Sequence, residues 1–361
     1  MVRRQTSSRV KARASTRQAT LAAAIAALRR RYGDHIIRTG ADFAARPAAT
    51  GLAPLSTGSL GLDLITGGLP RGHVSEYAGA DGTGKGTLAL AALASCQRAG
   101  GLALLVDADG AADPDALAAA GVDLDTLVLA CPTTAREAWD VLVALGRCGA
   151  LDLLVLASLP GVPALPRAGW SMPRLDRQLP RLATALRGRV TALLLTNLPL
   201  SPHPGAAADA WETVGGPAIA QAAALRIALQ PAGIRFTDYG DVAALRATAR
   251  VVKHHGMATG PALPLDMTPG GPHRAAELVA LGRLVGCVAE TALGLVMGEH
   301  IPAEGGGAPA CGESLLLGRT VGRAVAALDR DPALAALVEA QVRASWNGNA
   351  AHLPHTGAAR R

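Results

Sequence analysis

Aromatic side chains are scarce in this sequence. They make up 2% of the 361 residues, whereas apolar residues of all kinds make up 50%. A core built from such a chain consists mainly of alanine, leucine and valine. No apolar run reaches the roughly 20 residues that a membrane-spanning helix requires, and no apolar stretch with a cleavage site follows the basic N-terminus. We therefore expect a soluble, cytoplasmic protein with no membrane partner.

Cysteine and lysine are also rare. The five cysteines are odd in number and form no C-x-x-C pair, so neither a disulfide framework nor a metal site is indicated. Only three of the 35 basic residues are lysines, namely Lys11, Lys85 and Lys253. In a chain so biased toward arginine, a lysine within a motif indicates a need for a compact ammonium group.

The basic residues are concentrated at the N-terminus. Residues 1–31 hold nine arginines and lysines and no acid, while the net charge of the whole chain is +7. A basic arm of this kind suits a phosphate backbone or an acidic partner surface, and a solvated, disordered tail over residues 1–17 is the alternative. The alanine- and leucine-rich stretch 18–31 predicts a short helix. Residues 1–46 are thus interpreted as an N-terminal arm with a helix.

Apolar strands alternate with helical segments through the middle of the chain. The predicted strands are 73–77, 102–106, 126–130, 151–157 and 191–196, and the predicted helices are 87–98, 116–120, 135–147 and 174–187. This alternation predicts an α/β fold whose central, mostly parallel sheet is covered on both faces. The preceding stretch 45–58, rich in proline, glycine, serine and threonine, is interpreted as a linker.

The pattern changes after residue 223. The apolar stretches 225–230 and 245–253 have no long helix between them, which predicts an antiparallel extension of the sheet. We expect a core domain over residues 47–268, a small α+β C-terminal domain over 269–345 and a disordered tail over 346–361.

A glycine-rich loop, GADGTGK, lies between a predicted strand and a predicted helix. This is the context that a phosphate-binding loop requires, because its backbone N–H groups can surround phosphate oxygens at the positive end of a helix. The candidate nucleotide-binding residues here are Gly79, Asp81, Gly82, Thr83, Gly84 and Lys85 of the loop, with Gly86 and Thr87 directly after it. The motif expects a serine or threonine next, as a ligand for Mg²⁺, but the chain has Gly86 followed by Thr87.

The motifs around this loop resemble those of the bacterial RecA recombinase family. The resemblance rests on LSTGSLGLD at 55–63, GGLPRG at 67–72, VDAD at 106–109 and RVVK at 250–253, in addition to the loop. It implies a RecA-like P-loop core, ATP with Mg²⁺ as cofactor, and assembly of many copies into a helical filament on single-stranded DNA. Its implied roles are DNA recombination, DNA repair and signalling of DNA damage in the SOS response.

The resemblance also assigns roles to three residues outside the loop. Asp109 falls where the family has the glutamate that activates the attacking water, and its shorter side chain weakens that catalytic role. Asp113 matches an acidic residue near the adenine. Lys253 matches a lysine that reaches the nucleotide of the neighbouring subunit.

Several positions depart from the family pattern. The strand that should end in an aspartate supporting Mg²⁺ ends in Ala157, and the phosphate-sensing glutamine is replaced by Leu198. The aromatic residue expected to stack on adenine is Ala116, and Gly86 removes the metal-binding hydroxyl. Since phosphoryl transfer depends on positioning and electrostatics, we expect hydrolysis to be slow or absent.

Two long loops correspond to the DNA-binding loops of the family. In the first, Met172 could wedge between bases, and Arg174 and Arg177 could contact phosphates. In the second, Thr213, Gly215 and Gly216 match the family pattern, and the glycines would allow the backbone to approach the strand closely.

Three functions remain open at this point. The first is a RecA-type recombination and repair protein that binds ATP and single-stranded DNA as a filament. The second is a non-hydrolysing accessory factor, similar to ImuA-like proteins, that attaches to a RecA filament, a LexA-type repressor or an error-prone polymerase. The third, a RecA-fold ATPase unrelated to DNA, explains neither of the two long loops.

Overall fold

The computed structural model describes residues 17, 19–31, 52–162, 172–200, 211–236, 242–255, 262–298 and 315–349. Residues 19–31 form the first helix, α1, as the sequence predicts. The chain divides into two compact units, Met1–Gly51 and Leu52–Arg361, and the second contains all the elements described below. No helix in the described ranges is long and apolar enough to cross a membrane.

Nine strands form one large sheet in the order β3-β2-β4-β5-β1-β6-β7-β8-β9. The strands are β1 (Val74–Gly79), β2 (Ala103–Val106), β3 (Val128–Ala130), β4 (Leu153–Leu156), β5 (Ala192–Asn197), β6 (Ala223–Phe236), β7 (Val242–His254), β8 (Leu263–Thr268) and β9 (Gly271–Pro272). The first six strands in this order, from β3 to β6, pair in parallel with their neighbours. The last four, from β6 to β9, pair antiparallel. The predicted α/β fold and its antiparallel extension are confirmed.

Helices cover both faces of the sheet. They are α2 (Leu60–Thr66), α3 (Lys85–Arg98), α4 (Pro114–Ala119), α5 (Ala135–Cys148), α6 (Met172–Leu186), α7 (Gly216–Ala222), α8 (Arg274–Leu284), α9 (Val321–Arg330) and α10 (Pro332–Asn349). Successive residues of one strand point to opposite faces. In β4, Leu153 and Val155 enter the core beneath α3, whereas Leu154 and Leu156 enter the core beneath α5 and α6.

The segment before β1 is part of the core domain. Leu55 is buried and bridges to Leu69, and Thr57 donates its hydroxyl and its N–H to the Asp63 carboxylate, both at 2.7 Å. Ser59 caps α2 by accepting from the N–H of Leu62. The linker predicted over 45–58 is therefore wrong for residues 55–58. Serine and threonine hydroxyls satisfy the local backbone here instead of facing solvent.

The C-terminal part contains the antiparallel strands β10 (Val288–Thr291), β11 (Gly294–Met297) and β12 (Leu315–Gly318), together with α8 to α10. Side chains of these helices, among them Leu278, Val325 and Val338, join the core beneath α3. Helix α10 continues to Asn349, because Trp346 is buried in the same core. The first four residues of the range predicted as a disordered tail are thus helical.

Candidate nucleotide-binding site

The loop between β1 and α3 has the backbone that phosphate binding requires. Gly82 and Gly84 have φ of 77° and 82°, in the left-handed region that favours glycine. Gly84 is also the N-cap of α3, which begins at Lys85. A Cβ added at Gly79 would lie 2.4 Å from Oγ1 of Thr83, so no other residue fits there. The unpaired N–H groups of the first helical turn therefore face the loop and can bind an anion.

The ammonium group of Lys85 is held within its own loop. Its Nζ lies 2.9 Å from Oδ1 of Asp81 and 3.4 Å from the carbonyl oxygen of Ala80. The Asp81 side chain is 89% exposed and that of Lys85 only 16%. The carboxylate of Asp81 thus binds the ammonium group of Lys85 on its solvent side, where an anionic ligand would approach.

A cavity of about 220 Å³ adjoins this lysine. It is lined by Asp81, Lys85, Gly86, Asp109, Ala157, Ser158, Pro160, Thr196, Asn197 and Leu198. A Cβ added at Gly86 would meet no atom within 4 Å, so the cavity has room for the hydroxyl side chain that the motif expects. Thr87 is half-buried and does not line the cavity. It therefore does not substitute for that hydroxyl.

A second cavity, of about 200 Å³, shares Gly86, Asp109, Ala157 and Thr196 with the first. Ala116 lines it, as does Asp113, which also caps α4 by accepting from the N–H of Asp115 at 3.0 Å. All four positions that depart from the family pattern, namely Gly86, Ala116, Ala157 and Leu198, therefore border one connected space.

Two aspartates after β2 form a hydrogen-bonded pair at this space. The buried Asp107 accepts from the N–H groups of Ala111 and Ala112 at 3.0 and 2.9 Å. Burial raises the pKa of Asp109, the hydrogen bond and the charge of Asp107 raise it further, and a hydrogen bond from Ser158 opposes the rise. Among the residues that the structure describes, no group of His, Cys, Asp and Glu side chains could hold a metal ion.

A buried polar cluster lies behind the cavity. Glu76, in the middle of β1, accepts from Arg226 Nε, Asn197 Nδ2 and Thr213 Oγ1 at 2.5, 2.7 and 2.6 Å. Asn197 also donates to the carbonyl oxygen of Val214 at 2.8 Å. The end of β5, which borders the cavity, is thereby joined to the second predicted DNA loop.

The predicted DNA-binding residues fall at two helix starts. Met172 and Arg174 lie in the first turn of α6, where their side chains are outside the described set, and Arg177 is exposed. Gly215, at φ 97°, caps α7, and Gly216 begins it. The buried hydroxyl of Thr213 is engaged by Glu76. Its side chain therefore supports the loop from the inside.

Lys253 contacts the same region from β7. Its Nζ donates to the carbonyl oxygen of Ala220 at 2.6 Å, in the last turn of α7. Burial lowers the pKa of Lys253, and the nearby charge of Arg226 adds to this effect. The lysine predicted to reach a neighbour's nucleotide thus satisfies the C-terminal end of a helix within its own chain.

The sequence interpretation missed the buried cluster. Glu76 and Arg226 each interrupt a run of buried strand residues, and two opposite charges in adjacent buried strands must pair. A charged residue within a buried strand is therefore the sequence signal that could have revealed this cluster. Ser158 and Asp107, which hold Asp109, were missed as well.

A strand, a glycine-rich loop and a helix that begins at the loop's lysine, set in a parallel sheet, define a P-loop nucleotide-binding fold. Residues 19–183 match the family model of the RecA N-terminal domain. The chain is 32% identical to a protein described as "Protein RecA" from Mesorhizobium japonicum over 294 residues, covering 77% of this chain and 79% of that protein. The chain therefore belongs to the RecA family.

Other relatives match over a smaller share of their length. "Protein RecA" from Mycobacterium tuberculosis is 31% identical over 277 residues, which are 73% of this chain but 34% of that protein. "Protein RecA" from Kineococcus radiotolerans is 41% identical over 155 residues, or 42% of each chain. The chain thus spans about a third of the length of the mycobacterial relative it matches.

Proposed function

We propose that this chain is a RecA-like DNA recombination and repair protein of the cytoplasm. It binds ATP and single-stranded DNA, associates with further copies of itself, and hydrolyses ATP slowly or not at all. The observation that carries this proposal is that Lys85 and Gly86 line the same cavity and that Ala157 lies on its opposite wall. The group that attracts phosphate is present, and two groups that would position a metal are absent.

ATP binding is supported by the backbone of the loop. The N–H groups around Gly82 and Gly84 and the ammonium of Lys85 would hold the phosphates, once Lys85 leaves Asp81. Mg²⁺ does not fit in the same way. The cavity offers no side-chain oxygen at residues 86 and 157, and both oxygens of Asp107 already accept backbone N–H groups.

Weak hydrolysis is supported by the two remaining positions. Asp109 shares hydrogen bonds with Asp107 and Ser158, and an added Cβ at Gly161 would lie 2.8 Å from Cβ of Asp109. Its carboxyl group is therefore confined rather than free to orient a water molecule. Leu198, at the cavity wall, has no side-chain hydrogen bond to offer to a terminal phosphate.

Self-association is supported by an open sheet edge. The edge strand β3 exposes 49% of Val128 and 46% of Leu129, and an exposed apolar edge strand is suited to pairing with another chain. Asp123 and Asp125, both exposed, lie just before this strand. They would complement the basic residues 1–31 of a second copy, which would join neighbouring copies.

Binding of single-stranded DNA is supported by the placement of the two loops. In the chain, α6 follows β4 and α7 follows β5. Both helices therefore begin beyond the C-terminal ends of these strands, where the nucleotide cavity lies. Phosphates of a strand would meet Arg177, and bases would approach the glycine-rich start of α7.

A second function is favoured by the same cavity. A chain that binds nucleotide without turnover could act as an accessory factor of an intact RecA filament or of an error-prone polymerase in the response to DNA damage. This alternative requires a binding partner, whereas the first proposal requires only further copies of this chain.

Turnover of ATP tests the proposal. We expect purified protein to bind a fluorescent ATP analogue and to release phosphate no faster with single-stranded DNA than without it. Lys85→Ala should weaken analogue binding by about 10- to 100-fold, because a charge-assisted hydrogen bond contributes about 1.5–3 kcal/mol. Arg98→Ala, which removes an exposed cation at the other end of α3, serves as the control. Robust DNA-stimulated turnover that Lys85→Ala abolishes would contradict the claim of weak hydrolysis.

A further inference from the structure

Helix α6 carries a line of exposed arginines that continues beyond the predicted DNA loop. Arg177 and Arg181 are exposed one turn apart on this helix, and Arg187 and Arg189 are exposed in the turn that follows it. Arg147, at the end of α5, is exposed as well. These five residues are called the arginine stripe.

The members of the stripe run from the first half of α6 to the turn after its end. Residues four apart on a helix share a face, which places Arg177 beside Arg181. A Cβ added at Gly146 would lie 3.0 Å from Cδ2 of Leu186, so the C-terminal ends of α5 and α6 touch. Arg147 and Arg187 each follow one of these touching residues, so both lie where the two helix ends meet.

The charges of the stripe are not compensated within the described residues. None of the stripe arginines takes part in the ion pairs found there. The nearby acids are engaged elsewhere, because Asp140 pairs with Arg136 and Asp152 pairs with Arg71. Glu137 is held in the capping box of α5. Asp176 is the one acid on α6, and its side chain is outside the described set.

The stability of the helix does not explain this arrangement. Cations at the C-terminal end of a helix are favourable, which accounts for Arg147 and Arg187. Arg177 lies in the first half of α6, and like charges four residues apart, as at Arg177 and Arg181, are mildly destabilising. An anionic ligand along the helix would offset that repulsion.

We propose that the arginine stripe binds the phosphate backbone of single-stranded DNA as the strand leaves the first DNA loop. α6 begins at that loop, and its 15 residues extend over about 22 Å at 1.5 Å per residue. Arginine suits phosphate because its guanidinium can donate two parallel hydrogen bonds. This proposal rests on the proposed binding of single-stranded DNA. It adds a second contact surface, at the end of α6 that lies away from the loops.

Strand length separates the stripe from the loops. The test compares the full chain with the variant Arg181→Glu, Arg187→Glu and Arg189→Glu, on strands of about 8 and about 30 nucleotides. We expect the variant to bind the long strand at least about 10-fold more weakly, with a salt slope lower by about 2, since each lost phosphate contact on single strands removes about 0.7. Affinity for the short strand should stay within about twofold.

A matched variant controls for net charge. Arg319→Glu with Arg323→Glu and Arg330→Glu changes three exposed arginines far along the chain and should bind both strands like the unmodified protein. If the reversals unfold the protein, Arg181→Gln with Arg187→Gln and Arg189→Gln should still lower the salt slope by about 2, because the same three phosphate contacts are lost.

Four outcomes would overturn the proposal. The stripe is wrong if both strand lengths lose equal affinity, or if the long strand loses none. It is also wrong if only duplex DNA or poly-glutamate binding depends on the stripe. If the unmodified protein binds neither strand, the proposed DNA binding fails together with the stripe, which distinguishes that result from failure of the stripe alone.

Discussion

The phosphate loop and the wall opposite it differ in what each retains. The loop has the two left-handed glycines, the N-cap at Gly84 and the lysine. The wall formed by the ends of β4 and β5 has Ala157 and Leu198 at positions where the family has polar groups. Binding of phosphate needs only the loop, whereas its transfer needs both sides. Under the proposed function, the two regions therefore separate nucleotide binding from nucleotide turnover within one cavity.

The wall is held by the buried cluster around Glu76. Breaking this cluster should cause the largest loss of folding stability. Glu76→Gln leaves the buried charge of Arg226 without its partner, which should lower the free energy of unfolding by about 3 kcal/mol. Urea denaturation measures this loss. The exposed change Glu137→Gln should cost clearly less. Equal effects from the two variants would show that the buried cluster does not hold the wall in place.

The sequence predicts the loop side of this comparison better than the wall. Gly79 to Lys85 are contiguous, and their spacing between a strand and a helix determines their geometry. Family motifs also reveal the losses at Gly86 and Ala157. The cluster of Glu76, Arg226 and Asn197 could not be predicted in the same way. Asn197 and Arg226 lie 121 and 150 residues from Glu76, and they meet it only when β1 pairs with β5 and β6.

Local chemistry explains the boundaries that the sequence misplaced. The stretch 55–58 looks like a linker because serine, threonine and glycine are common in loops. Its hydroxyls instead bind Asp63, a contact six or seven residues away that no composition reveals. The helix α10 runs four residues into the range predicted as a tail, and no local pattern reveals this, because the burial of Trp346 depends on the packing of distant helices.

Restoring the wall should sharpen the comparison. Gly86→Thr with Ala157→Asp supplies a hydroxyl and a carboxylate to the cavity, where a side chain at residue 86 meets no atom within 4 Å. We expect Mg²⁺ to tighten ATP binding by about tenfold in this variant, which corresponds to about 1.4 kcal/mol. Calorimetric titration measures the change, and Gly86→Ala with Ala157→Ser is the control. Mg²⁺ affinity that is unchanged by the restoring pair would contradict the assigned role of these two positions.

Removing the aspartate of the loop should also raise nucleotide affinity, but by a smaller factor. Asp81→Asn frees Lys85 from an ion pair of 2.9 Å whose acidic partner is largely exposed. Because exposed ion pairs contribute at most about 1 kcal/mol, nucleotide affinity should rise by about two- to fivefold. The exposed change Asp115→Asn should leave affinity unchanged. A drop in affinity for Asp81→Asn would mean that Asp81 helps to bind nucleotide.

The smallest effect concerns pH. Because burial and Asp107 raise the pKa of Asp109 above its ordinary value of 3.8, ionisation costs more in the folded protein than in the unfolded chain. The contribution of Asp109 is thus fully present below that ordinary value and is lost as pH rises through the raised pKa. Asp109→Asn should reduce this loss, so the melting temperature of the variant should fall less over the same pH range. Parallel pH profiles of the two proteins would argue against the raised pKa.

The affinity of the unmodified protein for ATP, measured once in Mg²⁺ and once in EDTA, tests the separation of binding from turnover most directly. An intact loop facing a wall without metal-supporting oxygens predicts measurable binding in both buffers, with dissociation constants that agree within about twofold. Binding that appears only in Mg²⁺, or tightens by tenfold or more, would contradict it.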